Sequence, residues 1–253
     1  MKMGKSTREA FGEALAKLGG ENSDVVVVDG DVHNSTRTDI FAKKFPERFF
    51  NVGIAESDLV GIAAGLACSL PNFTVVVPAD EPSTHQAVKA LAGIRTPAYL
   101  RAGRPNVPLV YENGCPFTLG KANQLRDGKD LTIIACGLMV APALEAAEKL
   151  AGQGIKARVL DMHTVKPVDD AAVLAAARET GRIVVAEEHL LHGGLGSVVA
   201  MSAARQQPVP MRFVGLRDTF AESGKPEELL AKYGLTAADI ERAALDLLGK
   251  KAS

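Results

Sequence analysis

The sequence predicts an α/β protein made of two doubly wound domains, and three observations carry that prediction. Short apolar runs rich in β-branched residues, Val25 to Val28 and Thr74 to Val77, have the composition of strands in a parallel sheet. Segments with helical spacing alternate with such runs, as crossover connections between parallel strands require. A stretch punctuated by Pro105, Pro108, Gly114, Pro116 and Gly120 separates two halves that show the same alternation. The expected division is a first domain over 1–107, a linker over 108–128 and a second domain over 129–253. A chain of 253 residues is long enough for two domains of ordinary size.

Each element has its own signal. Ser6-Thr-Arg-Glu9 has capping-box spacing, and Ala10, Phe11, Ala14, Leu15 and Leu18 then share a helical face. Gly19-Gly20 is read as the stop of that helix. Val25 to Val28 reads as a strand buried on both faces. Ser57 to Cys68 returns to helical spacing, and Thr74 to Val77 is a second apolar strand closed by Pro78. Ala87 to Leu91 reads as a short helix and Ala98 to Leu100 as a strand. In the second half, strands are expected at 131–135, 156–160, 182–186 and 211–216. Helices are expected at 141–151, 169–179, 195–205, 226–232 and 236–248.

Composition removes several function classes. Apolar residues make up 47% and charged residues 23%, which excludes disorder, collagen and a coiled coil as the main architecture. Lys plus Arg is 29 and Asp plus Glu is 30, so a net charge of −1 argues against phosphate-neutralising nucleic-acid binding. Trp is absent, which weakens a base-stacking role further. No apolar run has the length of a membrane span, and no signal-peptide core is seen. Cys68, Cys115 and Cys136 are too far apart for a metal-binding pair, so a reducing cytoplasm is the expected compartment.

Glu56 is the most informative position. Leu59, Val60 and Ala63 follow at i+3, i+4 and i+7, so the helix sets one carboxylate on its apolar stripe. Burial raises a carboxyl pKa, whereas the first turn of a helix lowers it. Taken alone, Glu56 reads first as a helix-start carboxylate that favours the dipole.

Its surroundings add a second reading. Arg48-Phe-Phe-Asn-Val-Gly-Ile-Ala-Glu56, with Leu59-Val-Gly-Ile-Ala-Ala-Gly-Leu66, closely resembles the glutamate segment of transketolases. Asp29-Gly-Asp-Val-His-Asn-Ser-Thr-Arg37 resembles the first loop of their pyrimidine-binding domain. Leu70-Pro-Asn-Phe-Thr-Val-Val-Val-Pro-Ala-Asp80 and Tyr99-Leu-Arg-Ala-Gly-Arg104 resemble its later pieces. The second half resembles the transketolase C-terminal domain, notably at Ala186-Glu-Glu-His189, Gly193-Gly-Leu-Gly196 and Phe220-Ala-Glu-Ser-Gly224.

The resemblance implies thiamine diphosphate chemistry, in which a two-carbon ketol unit passes between sugar phosphates. It implies that Glu56 holds N1′ of the cofactor's aminopyrimidine as a protonated carboxyl, a catalytic and cofactor-binding role. It also places Asp31 and Val32 near the thiazolium. Ser35, Arg104 and, in support, Arg101 would meet the sugar phosphate, for which a guanidinium is a suitable clamp. Without the resemblance, the two arginines read as a solvated strand end and Ser35 as a turn hydroxyl. His33, His163 and His192 read as surface or core histidines, and Glu187-Glu-His189 as structural or interfacial. No residue is assigned as a metal ligand.

Two departures from that family shape the functional expectation. The diphosphate-binding half, with its Gly-Asp-Gly…Asn magnesium motif, is absent. The magnesium and diphosphate would therefore be held by an N-terminal transketolase subunit on a partner chain. The glutamate helix also runs from Ala67-Cys-Ser69 straight into Leu70-Pro-Asn-Phe-Thr. About two strand–helix units, on the order of 60 residues, are missing there. Thr84-His85-Gln86 only mimics the histidine motif of the lost stretch. A sheet lacking those units leaves apolar surface uncovered, so self-association into a dimer or larger assembly is expected. The leading reading is the C-terminal subunit of a split transketolase, inactive alone. The alternatives are an inactive transketolase-like scaffold or regulatory chain, and a component resembling deoxyxylulose-phosphate synthase or a 2-oxoacid dehydrogenase β chain.

Overall fold

The computed structural model describes residues 1–29, 32–51, 71–112, 114–219, 222 and 224–250. It is an α/β protein of two compact units, Met1–Phe117 and Thr118–Ser253. Among the described residues, no helix is long and apolar enough to cross a membrane.

The first unit contains β1 (Met3–Ser6), α1 (Thr7–Glu21), β2 (Val27–Asp29), α2 (His33–Thr36), α3 (Asp39–Lys44) and β3 (Phe49–Asn51). It continues with β4 (Thr74–Val76), α4 (Glu81–Ala92), β5 (Ala98–Leu100) and β6 (Asn106–Pro108). β2 pairs parallel with β3, β4 parallel with β5, and β1 antiparallel with β6. Among the described residues, no ladder joins the β2–β3 pair to the β4–β5 pair. The expected helix over 57–68 lies outside the described residues.

Ser6 caps α1 as its spacing predicts, accepting the Glu9 N–H at 3.3 Å. Gly19-Gly20 does not stop the helix, which runs on to Glu21. Gly19 instead permits close packing, because a Cβ there would sit 2.4 Å from the Phe41 ring. β2 also differs from its reading as a strand buried on both faces. Val27 is 7% exposed, whereas Val26 and Val28 are 56% and 57% exposed. Val28 is in register with Phe50, which is 52% exposed, so one face of this two-stranded ladder is open apolar surface.

α4 begins six residues before its expected start. Its first turn is polar and carries no apolar periodicity, but Asp80 and Ser83 form a reciprocal capping box. The second Asp80 carboxylate oxygen accepts the Val110 and Tyr111 N–H groups at 2.8 and 2.9 Å. One buried carboxylate thus closes a helix end and fixes a distant loop.

The second unit contains β7 (Asn123–Arg126), β8 (Leu131–Ala135), α5 (Val140–Gly152), β9 (Ala157–Asp161), β10 (Thr164–Lys166) and α6 (Asp170–Thr180). β11 (Ile183–Leu190), α7 (Leu195–Gln206), β12 (Met211–Leu216), α8 (Pro226–Lys232) and α9 (Ala237–Leu247) complete it. Its five-stranded sheet has the order β12-β11-β8-β9-β7. Four strands are parallel, and β7 joins β9 as an antiparallel edge. All five β8 residues are buried, as a central parallel strand requires. β7 falls within the stretch read as a linker. Its polar sequence, Asn-Gln-Leu-Arg, suits an edge strand and gives no apolar run.

Candidate functional site

Asp29 ends β2 with its side chain buried. One carboxylate oxygen accepts the Val32 N–H at 2.7 Å. The other accepts the Thr38 hydroxyl at 2.8 Å and the Thr36 hydroxyl at 3.1 Å. These bonds wind the chain into the single turn α2, which carries Ser35. Arg37, at φ 64°, ends that turn in the left-handed region.

The start of α1 is fastened to the segment after β5. The Gly103 N–H reaches the Thr7 hydroxyl at 2.6 Å, and the Arg8 N–H reaches the Gly103 carbonyl at 3.3 Å. Arg8 also donates from Nη1 to the Ser35 carbonyl at 3.1 Å. α1, the α2 turn and the end of β5 thereby enclose a cavity of about 650 Å3. Its wall includes Arg8, Phe11, Val32, Ser35, Thr36, Tyr99 and Arg104.

Val32, Ser35 and Arg104, three of the residues singled out in the sequence, meet at this cavity. Arg101 is not among the described lining; its N–H continues the strand pairing to the Val76 carbonyl at 2.9 Å. Asp31 and Glu56 lie outside the described residues. His85 sits on α4 with Nε2 4.0 Å from the Glu13 carboxylate, away from the described cavity lining.

Arg8 and Tyr99 line the cavity, although the motifs that contain them give neither a role in binding. Arg8 does carry a local signal: a cation in the first turn opposes the helix dipole, so its position is not explained by helix stability. Its Nε–H is buried and has no hydrogen-bond partner among the described residues. Arg104 is exposed and has no ion-pair partner among the described residues. Two guanidinium groups and a hydroxyl on one wall form a donor set for a phosphate or another tetrahedral oxyanion. The described lining contains no carboxylate, the ligand type that would hold magnesium.

In the second unit, Glu187 is buried and accepts the Leu195 and Gly196 N–H groups, each at 2.7 Å. It caps α7 from a neighbouring strand. His163 is also buried, with Nδ1 3.0 Å from the Thr164 hydroxyl, and burial pushes its pKa down to about 4.

Comparison with known proteins matches residues 3–71 to the transketolase pyrimidine binding domain and residues 120–240 to the transketolase C-terminal domain. The chain is 36% identical to a subunit of the apulose-4-phosphate transketolase of Phocaeicola vulgatus, over 96% of this chain and 97% of that protein. It is 35% identical to a 6-deoxy-6-sulfo-D-fructose transketolase subunit of a Clostridium species, over 96% and 95%. A solved split-gene transketolase, described as an inactive β4 tetramer, superposes with a TM-score of 0.89 at 41% identity, covering 98% of this chain and 100% of that chain. The apulose relative aligns over 305 residues, whereas 96% of the present 253 is about 243. Some 60 alignment positions therefore have no counterpart in this chain, the size of the loss expected after Ser69.

Proposed function

The chain belongs to the transketolase family, and from that premise we propose that it is the C-terminal subunit of a two-chain transketolase. Family members use thiamine diphosphate, which when bound supplies the carbon nucleophile that takes up and hands on a two-carbon unit. The observation that carries the proposal is the cavity that gathers Arg8, Ser35 and Arg104. These residues would bind and orient the anionic tail of the sugar. Thr36 and Thr38 keep the Ser35 turn in place through Asp29.

Val32 would present apolar surface to the cofactor, with Asp31 beside it. Glu56 would hold a proton at its carboxyl, facing the aminopyrimidine ring. The diphosphate and magnesium would be held by an N-terminal partner subunit, since the described cavity lining offers a cation no carboxylate. The named substrates of the two relatives carry a phosphate and a sulfo group. Both are tetrahedral oxyanions, so the arginine pair suits a ketose with either tail. The β4 assembly described for the split-gene relative supports self-association of this chain when its partner is absent.

Co-expression with an N-terminal transketolase chain, followed by a ketol-transfer assay with ketose and aldose phosphates, tests the proposal. Transfer that needs both chains and disappears in Glu56→Gln supports it. A stable two-chain complex without transfer or thiamine diphosphate retention overturns it. That outcome would favour an inactive scaffold, the reading motivated by the 60 missing positions.

A further inference from the structure

Helix α1 turns one face toward the segment that follows β2. Arg8, Gly12, Ala16 and Gly19 have the spacing of one helical row. The row meets that segment in order. Arg8 donates to the Ser35 carbonyl, Gly12 lies against Arg37, Ala16 shares a buried cluster with Phe41, and Gly19 faces the Phe41 ring. Glycine is, after proline, the least favourable residue inside a helix, and Gly12 stands buried well within α1, where no turn needs it. Helix stability therefore does not explain it.

The main chain seated on Gly12 does explain it. A Cβ at that position would overlap the Arg37 carbonyl oxygen and lie 2.7 Å from the Arg37 Cβ. The carbonyl is not free to turn aside, since it accepts the Ile40 N–H at 3.3 Å at the start of α3. Arg37 itself is held at φ 64° between Thr36 and Thr38, whose hydroxyls both donate to Asp29. The turn that carries Ser35 to the cavity thus has two supports, the Asp29 carboxylate and the bare face of α1. A side chain at Gly12 would lift the turn off that face, one helical turn from the Arg8–Ser35 bond.

We propose that Gly12 is a positioning residue for the anionic tail of the sugar, a role that rests on the cavity being the sugar site. Its missing side chain seats the Arg37 main chain on α1, and that seat sets Ser35 beside Arg8 at the cavity wall. Inorganic phosphate titrated into the purified full chain, read by phosphorus NMR, tests it. Gly12→Ala is expected to weaken phosphate about tenfold, the worth of one hydrogen bond to a charged group. In the two-chain enzyme the same variant is expected to lose about tenfold in kcat/KM for the ketose phosphate that the parent uses best. It should keep the parent's value for the same ketose without its phosphate, because only the tail has lost a contact. A glycine needed for packing alone would lower both sugars alike. Circular dichroism checks that the fold survives. Should Gly12→Ala not fold, Gly12→Ala with Arg37→Gly removes the Arg37 Cβ, frees the turn to shift at a left-handed position that glycine accepts, and should show the same loss. Parent-strength phosphate binding in a folded variant, or an equal loss for both sugars, overturns the proposal. A parent chain that binds no phosphate overturns the sugar-site reading of the cavity, and the proposal with it.

Discussion

Arg8 donates to the main-chain carbonyl of Ser35 at 3.1 Å, so one guanidinium both braces the α2 turn and reaches the cavity that turn borders. In the two-chain enzyme, Arg8→Ala should raise KM for anion-tailed sugars about 10- to 100-fold and change kcat only a few-fold. That split marks lost substrate binding that is shared by ground and transition states. Arg8→Lys should recover only part of the loss, because an ammonium lacks the planar fork. Steady-state kinetics check both variants. A fall in kcat with KM unchanged would place Arg8 outside the sugar-binding wall.

Asp29 should carry much of the local stability of the first unit. Its carboxylate is 4% exposed and accepts one N–H and two hydroxyls. Asp29→Ala strands those donors in a buried site, and a loss of about 2–3 kcal/mol is expected. Asp29→Asn keeps the shape and one carbonyl acceptor, so it should lose less. Urea denaturation measures the order; equal stability of Asp29→Ala and the parent would refute it.

Elements with long apolar periodicity or continuous apolar runs are legible in the sequence. β8 is such a run, and all five of its residues are buried. α4 is legible only from Ala87 on, since its polar first turn is held by Asp80 rather than by apolar packing. β7 has an edge strand's polar sequence and becomes recognisable only through its pairing with β9. The pair Gly19-Gly20 has the local chemistry of a helix stop, and only the approach of Phe41 explains Gly19 otherwise. In the candidate site, Ser35 and Arg104 are readable because they sit in recognisable motifs. Arg8 is not, because its role comes from tertiary proximity to Ser35, 27 residues away.

The cap of α7 leaves no room for a side chain at Gly194. A Cβ there would lie 2.0 Å from the Glu187 Oε2 atom that accepts the Leu195 N–H. Gly194→Ala should therefore destabilise the C-terminal unit by about 2 kcal/mol or more, through loss of two charge-assisted bonds or displacement of the helix. Glu187→Ala removes the clash but orphans the same N–H groups, so the double variant should be no more stable than Glu187→Ala. A double-mutant cycle in denaturant exposes this non-additivity. Simple addition of the two single effects would show that the residues do not share one mechanism.

His163 should make the C-terminal unit sensitive to mild acid. Burial lowers its pKa from the ordinary 6.5 to about 4 in the folded chain. Between those values the unfolded chain binds a proton on this residue and the folded chain does not. Stability consequently rises with pH across that window, is fully present above about 6.5 and is lost as the pH falls toward 4. The full change is on the order of 3 kcal/mol, since a tenfold change in proton affinity corresponds to about 1.4 kcal/mol. Carboxylates titrate in the lower part of the same range, so the informative quantity is the difference between the parent and His163→Gln. The variant keeps a polar, neutral side chain beside Thr164 and has no imidazole to protonate. Denaturation midpoints at pH 7.5, 6.0 and 5.0 should fall more steeply for the parent than for His163→Gln. Parallel lines would mean that protonation of His163 does not drive the acid sensitivity.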